Sequence, residues 1–192
     1  MVNIMKKCVL FLAIIFTGVG LSAEYHIDKE KKNSVKFISE APVEQIEGIT
    51  DAIDGYILWE NDNPLNNSEF YFDVDLNTID TGIGLRNRHM RDNYLETEKF
   101  QYALFKGTVT SVDTLDDGKT LNVVVDGMMT LHGIDHQYEI TGSVSHDGET
   151  LQVYSDFEVL LTDHKITIPK LMFLKISEII QIELDFYLTK QK

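Results

Sequence analysis

The sequence predicts an all-β protein, and three observations support that fold class. Apolar and polar residues alternate with a period of two along several runs, as happens when one face of a strand is buried and the other is wetted. Turn-forming residues separate these runs at hairpin spacing. Only one passage, from Asp80 to Phe100, has a clearly helical character. We therefore expect one β domain of roughly eight to ten strands.

Residues 1–23 are predicted to be a secretory signal peptide. Lys6 and Lys7 precede an uncharged, mostly apolar stretch from Cys8 to Leu21, and the small residues Ser22-Ala23 follow it. The stretch is shorter than the roughly 20 residues of a membrane-spanning helix. We expect residues 24–192 to form a single domain in the periplasm or outside the cell, without a stable membrane anchor after cleavage. A retained N-terminal anchor is the alternative.

Three strands are predicted from alternation alone. Their apolar faces consist of Phe70, Phe72, Val74 and Leu76; of Leu121, Val123 and Val125; and of Ile180, Ile182, Leu184, Phe186 and Leu188. The intervening turns are indicated by Asn63-Pro64, Asp116-Asp117-Gly118, His132-Gly133 and Asp147-Gly148. Alternation does not distinguish a sandwich from a barrel, nor a filled interior from one that holds a ligand.

The helical passage carries a concentration of charged side chains. Within seven positions it contains Arg86, Arg88, His89, Arg91 and Asp92. We expect a short helix or lid over about residues 84–96, with Thr81 or Asp80 as its cap. Arginines in a first helical turn oppose the helix dipole, so a compensating contact is expected.

The charge balance excludes nucleic acid as a partner. Without the two leader lysines, 15 basic residues stand against 31 acidic ones, and no basic stripe with interleaved aromatic residues occurs. The same charge repels an anionic membrane unless a local patch reverses the field.

Several different short motifs are spread over nearly the whole chain after the leader. They are Tyr25-x-x-Asp28, Ser34-Val35-x-Phe37, Asp73-Val74-Asp75-Leu76-x-x-Ile79-Asp80-Thr81-Gly82, Arg88-His89-Met90-Arg91 with Arg86 before it, and Gly127-x-x-Thr130-Leu131-His132-Gly133. Together they resemble the YceI family of secreted lipocalin-like proteins. Asn33 stands where that family usually has histidine, and Ser155-Asp156-Phe157 departs from the family pattern.

The resemblance implies an eight-stranded antiparallel lipocalin-like barrel around an apolar tunnel. It also implies that the tunnel binds an isoprenoid lipid, quinone-like or polyprenyl, or a similar long-chain amphiphile. Arg86 and His89 are then expected to meet the head group, with Leu85 and Met90 packing inward. The predicted ligand-binding residues are Phe70, Phe72, Leu85, Arg86, His89, Met90, Ile182, Leu184 and Phe186.

Several alternatives stay open at this stage. In the alternative to head-group binding, the arginines anchor the helix, with Arg88 paired to Asp92 and Arg86 bonded to the barrel. A cavity enzyme using His89, or a barrel that binds no ligand, are the other function classes. No nucleophile motif or phosphate loop occurs, so no enzyme activity and no cofactor other than a bound lipid are expected. His132 and His136 flank a turn, which makes a metal site improbable. A homodimer is neither favoured nor opposed by any feature.

Overall fold

The structure is a computed structural model that describes residues 22–40, 45–60, 64–65, 67–167, 170–171 and 174–191. Residues 1–21 of the predicted signal peptide lie outside the described residues. Ser22 and Ala23, the last two residues assigned to it, begin the first strand of the barrel. The predicted turn at Asn63-Pro64 lies only partly within the described residues.

Strands make up most of the described chain. They are β1 Ser22–Ile27, β2 Ser34–Glu40, β3 Gln45–Thr50, β4 Ile53–Glu60, β5 Glu69–Asp75, β6 Tyr102–Thr114, β7 Thr120–Leu131, β8 Ile134–Asp147, β9 Thr150–Leu160, β10 Lys170–Leu171, β11 Leu174–Lys175 and β12 Ile179–Lys190. The helical segments are α1 Gly84–His89, a π-helical turn Met90–Leu95 that continues it, and 3₁₀ turns at Leu76–Thr78 and Leu161–His164. Across the described residues, no helix is long and apolar enough to cross a bilayer.

The sheet closes into the predicted eight-stranded antiparallel barrel. Neighbouring strands follow the order β1-β4-β5-β6-β7-β8-β9-β12, and β12 returns to β1 through the pair Ile27 and Leu188. Every pairing in this barrel is antiparallel, as period-two alternation predicts. The prediction of an all-β barrel with one short helical segment is confirmed.

At two of the eight places around the barrel, the strand consists of two consecutive chain segments with a break between them. β1 pairs with β12 near Leu188, and β2 resumes beside the same strand at the pair Ser34 and Asp185. Between them, the buried Asn33 donates to the backbone oxygen of Asp28 (2.9 Å) and accepts from the backbone nitrogen of Tyr187 (3.0 Å). The asparagine therefore fastens the interruption to β12 at both ends. β3 and β4 share the next position, with residues 51 and 52 between them.

The interior is packed solid at one end of the barrel. Trp59 and Tyr25 lie with ring centroids 5.5 Å apart, and Ile57, Leu151 and Leu188 are at most 1% exposed. These side chains belong to one continuous core that includes residues of β1, β4, β9 and β12. Burying large apolar side chains contributes roughly 1.5–3 kcal/mol each, so this end supplies much of the stability of the barrel.

Candidate functional site

The other end of the barrel is hollow. A cavity of about 550 Å³ lies between the solid core and the helical segment of residues 84–95. Three aromatic rings form its floor: Phe72 lies 4.9 Å from Phe186 and meets Phe70 edge-on at 6.3 Å, measured between ring centroids. Beyond these rings, Tyr25, Trp59 and Leu188 do not reach the cavity. The cavity is therefore closed at the bottom and opens under the helical segment.

The floor depends on a glycine in the neighbouring strand. Gly55 of β4 faces Phe72 of β5 in register and has a φ of +140°, a conformation that L side chains rarely adopt. A Cβ placed there would lie 2.7 Å from Cδ1 of Phe72 and 2.1 Å from the backbone oxygen of Tyr71. The missing side chain makes room for the Phe72 ring.

The cavity wall is made of aliphatic and aromatic side chains from the barrel strands. Its few polar groups are committed: the Ser155 hydroxyl donates to the backbone oxygen of Thr141 (2.7 Å), and the Ser39 hydroxyl accepts from the backbone nitrogen of Ser177 (3.2 Å). Across the described residues, no buried side-chain polar atom lacks a hydrogen-bond partner. Such a wall suits a hydrocarbon guest, because it offers apolar contact and leaves no polar group waiting for a ligand.

Arg86 lies at the mouth of the cavity and is held in place from within its own segment. Its Nε donates to the Thr81 hydroxyl (2.8 Å), and one terminal nitrogen donates to the Thr81 backbone oxygen (2.6 Å). The guanidinium still lines the cavity, beside His89. Of the two expected roles, the anchoring one is therefore present, through the hydroxyl and the backbone oxygen of Thr81.

The helical segment is fastened to the preceding loop by Asn87. Its side-chain oxygen accepts from the backbone nitrogen and the hydroxyl of Thr81 (2.9 and 2.6 Å), and its nitrogen donates to Asp80 (2.7 Å). This hydrogen bond, with a second from Gly82, lowers the pKa of the Asp80 carboxyl. The expectation that Thr81 or Asp80 caps the helix is wrong, because Ile83 holds that position without a side-chain hydrogen bond.

The far end of the segment is tied to the barrel by His132. Its Nε2 lies 3.0 Å from a carboxylate oxygen of Glu96, and its Nδ1 lies 3.2 Å from the backbone oxygen of His164. Lys99 pairs with the other carboxylate oxygen (2.6 Å), and the hydrogen bonds from Lys99 and His132 lower the pKa of Glu96. The sequence assigned His132 only to a turn, and the structure shows that it joins the helical segment to the 3₁₀ turn of residues 161–164.

His164 is completely buried behind that 3₁₀ turn. Its Nδ1 lies 3.0 Å from the backbone oxygen of Ile134, and its Nε2 lies 3.1 Å from the hydroxyl of Tyr138, whose ring stacks on it. Burial lowers the pKa of His164 and raises the pKa of Tyr138. His136 approaches Asp163 at 3.3 Å. Within the described ranges, these groups and their neighbours contain no set of three ligands arranged for a metal ion.

The nine residues predicted to bind a ligand all line this one cavity. Phe70, Phe72 and Phe186 form the floor, Ile182 and Leu184 belong to the β12 wall, and the four residues of the helical segment surround the mouth. The expectation that Leu85 packs inward is wrong, because Leu85 lies at the edge of the mouth and is 62% exposed to solvent. The structure therefore brings them together, while their contact with a ligand stays a prediction. The predicted pair of Arg88 and Asp92 does not form an ion pair among the described residues.

Sequence reasoning missed a second group of cavity residues. Ile166, Thr167 and Ile176 come from the irregular stretch between β9 and β12, and Phe37 and Ile46 come from β2 and β3. No period marks the first group, so alternation could not assign them. The only signal available was their composition, because residues 164–177 are rich in apolar side chains and contain no acid.

Comparisons with known proteins agree with this architecture. The family profile described as a YceI-like domain matches residues 25–188. A search of the curated proteins gives no match.

Solved structures with the same fold cover nearly the whole described barrel. A polyisoprenoid-binding domain from Saccharophagus degradans, implicated in plant cell wall breakdown, is similar with a TM-score of 0.69 at 19% identity, over 88% of this chain and 99% of that one. Burkholderia cenocepacia BcnA gives a TM-score of 0.68 at 14% identity, over 84% and 98%. The Campylobacter jejuni YCEI protein gives 0.58 at 13% identity, over 98% and 99%. At these identities the likeness shows the fold alone.

Proposed function

This chain belongs to the YceI-like domain family, and from that premise we propose that it is a periplasmic or secreted carrier of an isoprenoid or a similar long-chain amphiphile. The observation that carries the proposal is the cavity of about 550 Å³, which is walled by apolar side chains and has the helical segment at one end. Its volume lies within the roughly 300–1,000 Å³ of ordinary ligand pockets. The similar structure from Saccharophagus degradans is a polyisoprenoid-binding domain, which supports the same ligand class.

The physical basis of binding is the transfer of hydrocarbon out of water. Burying each CH₂ group contributes about 0.8 kcal/mol, and a prenyl tail consists of little else. Such a tail needs no specific polar partner, which suits a wall whose serines are already hydrogen-bonded. The floor of Phe70, Phe72 and Phe186 limits how deep the tail reaches.

The head group is proposed to lie at the mouth, against Arg86 and His89. Arg86 is held by Thr81 through two of its nitrogens, so little side-chain freedom is lost when a ligand arrives. A phosphate or a quinone carbonyl is an acceptor that a guanidinium recognises well. The net negative charge of the whole chain repels an anionic ligand at long range, which favours a neutral head group unless a local cationic patch reverses the field at the mouth.

Binding without chemistry is proposed because the mouth lacks a paired acid and base. In the described part of the chain, His89 has no hydrogen-bonded carboxylate or other orienting partner, although one is usual for a catalytic histidine. The cavity wall below it carries no nucleophile in a recognisable setting.

The test is the identification of what the purified protein contains. Protein from its own host is examined by native mass spectrometry and, after organic extraction, by lipid analysis. The proposal expects an added mass that extraction removes and identifies as a lipid with a long apolar chain. An unliganded mass, together with no binding of a labelled polyprenyl probe, would discard it.

Two substitutions separate the carrier from a cavity enzyme. We expect Arg86→Ala and His89→Ala to weaken binding of a probe with a polar head group, whereas Arg88→Ala, outside the cavity, leaves it unchanged. If both variants bind like the wild type and only lose thermal stability, the helical segment is a scaffold. Turnover of the bound lipid that His89→Ala abolishes without loss of affinity would favour the enzyme instead.

A further inference from the structure

Basic residues are concentrated in two segments of an otherwise acidic chain. Residues 83–91 and 164–177 together hold six of the 17 basic residues and none of the 31 acidic residues. The rest of the chain is correspondingly more acidic than the net charge of −14 suggests. An uneven distribution of this kind creates a local field opposite in sign to that of the whole molecule.

Both segments lie at the mouth of the cavity. Ile83 and Leu85 from the first segment and Ile166, Thr167 and Ile176 from the second line the same cavity. The second segment also forms the hairpin β10–β11, in which Lys170 and Lys175 are in register. The two basic segments therefore flank one opening, although 72 residues of sequence separate them.

The mouth also exposes apolar side chains to solvent. Ile83 is 50% exposed and Leu85 is 62% exposed, which makes Leu85 the most exposed of the large apolar side chains in the described part of the chain. Arg88, one helical turn after Leu85, is exposed and forms no ion pair among the described residues. Lys165, on the opposite side of the mouth, is exposed as well. Apolar and cationic groups thus point outward together.

The acidic groups nearest to this surface are mostly engaged in other contacts. Asp80 accepts from Asn87 and Gly82, Asp163 lies beside His136, and Glu96 is held by Lys99 and His132. Asp92 on the helical segment and Glu178, directly after the second basic segment, are exposed acids. The cations at the mouth are therefore only partly offset by neighbouring carboxylates.

We propose that this surface, the rim patch formed by Ile83, Leu85, Arg88 and Lys165, docks reversibly on an anionic phospholipid bilayer. The cations meet the lipid phosphates, and Ile83 and Leu85 enter the interfacial layer, as apolar residues of peripheral proteins do. Because the rest of the molecule is acidic, only the orientation with the cavity mouth facing the lipid is attractive. Docking brings the opening to the membrane, where a long-chain lipid would enter or leave.

Docking does not require an occupied cavity. The docking proposal is therefore tested independently of the carrier proposal. An exposed apolar surface could bind a bilayer, a second copy of the chain or an uncharged partner. The cations beside it favour the anionic bilayer. A second copy of the chain would bring the same cations into opposition, and an uncharged partner would not need them. The attraction is expected to fall as salt rises, because the Debye length drops from about 10 Å at ~0.1 M to about 3 Å at ~1 M.

The test is co-sedimentation of the purified chain with phosphatidylcholine vesicles, with and without phosphatidylglycerol. We expect binding only with phosphatidylglycerol, and we expect it to be lost at high salt. A cationic side chain near an anionic surface changes affinity about fivefold, so Arg88→Glu with Lys165→Glu should weaken binding at least ~20-fold. Ile83→Asn with Leu85→Asn should weaken binding at low salt, where the wild type binds.

Matched controls come from the β6–β7 turn at the packed end of the barrel. Lys119→Glu and Leu115→Asn change an exposed cation and an exposed apolar side chain there, and both should leave binding unchanged. Circular dichroism and the unfolding midpoint of each variant show whether it is folded.

Three outcomes overturn the proposal. They are equal binding to neutral and anionic vesicles, equal weakening by Lys119→Glu and by the rim variants, and no binding to either vesicle. Self-association in solution that Leu85→Asn abolishes would identify the rim patch as a contact between copies instead. If vesicle binding holds but no lipid is ever found in the cavity, docking stands and the carrier proposal fails.

Discussion

At the scale of single residues, Phe72 stands where the hollow part of the barrel meets the packed part. Its ring lies 4.9 Å from that of Phe186 and closes the floor of the cavity. Behind these rings lie Ile57 and Leu188, which are fully buried. Phe72 therefore sets how long a chain the cavity holds, because a guest that passes the floor must displace side chains of the core.

We expect Phe72→Ala to extend the cavity and to shift the bound lipids towards longer chains. Removing a buried phenylalanine typically costs about 3–5 kcal/mol of stability, and a half-buried one costs less. The measurement is the chain-length profile of extracted lipids or of a mixture of polyprenyl probes. Phe157→Ala, a matched truncation in the wall nearer the mouth, should widen the cavity without lengthening it. An identical length profile in Phe72→Ala and wild type would contradict this role.

His164 is the residue that most directly links pH to stability. Burial lowers its pKa below the ordinary value of 6.5, so the unfolded chain takes up this proton at a higher pH than the folded one does. The stability is therefore complete above about pH 6.5 and is lost as the pH falls towards the lowered pKa of the folded state. The loss approaches about 1.4 kcal/mol per pH unit for one proton.

We expect the free energy of unfolding, measured with urea between about pH 7.5 and 5, to fall on acidification in the wild type. His164→Gln should be less stable throughout, with a shallower pH dependence. His146→Gln, at an exposed position, should keep the wild-type slope. The carboxyls whose pKa is lowered, such as Asp54 and Asp117, respond only at more acidic pH. Equal slopes in wild type and His164→Gln would refute the assignment.

At the scale of elements, the helical segment of residues 84–95 is a short lid fastened at both ends. Asn87 ties its beginning to Thr81 and Asp80, and Glu96 ties its end to His132. A helix this short is not stable by itself, because nucleation costs more than a few intrahelical hydrogen bonds return. Its order therefore depends on these side-chain ties and on the packing of Met90 and Leu95 over the cavity.

We expect Asn87→Ala to loosen the lid without unfolding the barrel. The substitution removes three hydrogen bonds, each contributing about 0.5–1.5 kcal/mol when buried and less when exposed. Amide hydrogen exchange should accelerate over residues 84–95 and stay unchanged in the barrel strands. Asn93→Ala, at an exposed position of the same segment, serves as the control. Equal exchange in the two variants would show that Asn87 does not fasten the lid.

At the scale of the whole molecule, the barrel is half solid and half hollow. The packed end holds the fold together, so the other end is free to enclose a guest. A guest that binds only the folded state stabilises it by mass action, by about 2.7 kcal/mol at a concentration 100 times the dissociation constant. The guest also fills a space whose lining otherwise lacks contact atoms on one side.

We expect the unfolding temperature to fall when the protein is stripped of lipid and to recover when lipid is restored. For a chain of this size, about 2.7 kcal/mol corresponds to roughly 5–10 °C. Differential scanning calorimetry of the extracted and reloaded protein measures the shift. A short polar compound that matches only the head group should restore little of it. An unfolding temperature that does not respond to any long-chain lipid would contradict an occupied cavity.

The sequence by itself determined the inward faces of the strands and the position of the lid. Period-two alternation assigned Phe72, Leu184 and Phe186 to the interior, because a strand has only two faces and one of them must avoid water. The concentration of charged residues around Arg86, which is also visible in the local sequence, indicated the position of the lid. The motifs that resemble the YceI family then chose the barrel over the sandwich.

Only the tertiary structure decided how deep each inward residue lies and which distant segments meet. Phe186 and Leu188 have the same place in the alternating pattern, but Phe186 lines the cavity and Leu188 is packed beneath it. The pattern does not distinguish them, because the depth of a side chain in the barrel depends on how all eight strands are arranged. Ile166, Thr167 and Ile176 reach the cavity beside the lid through chain closure, which no local pattern encodes. The hollow, the floor and the basic mouth therefore exist only once the barrel has closed.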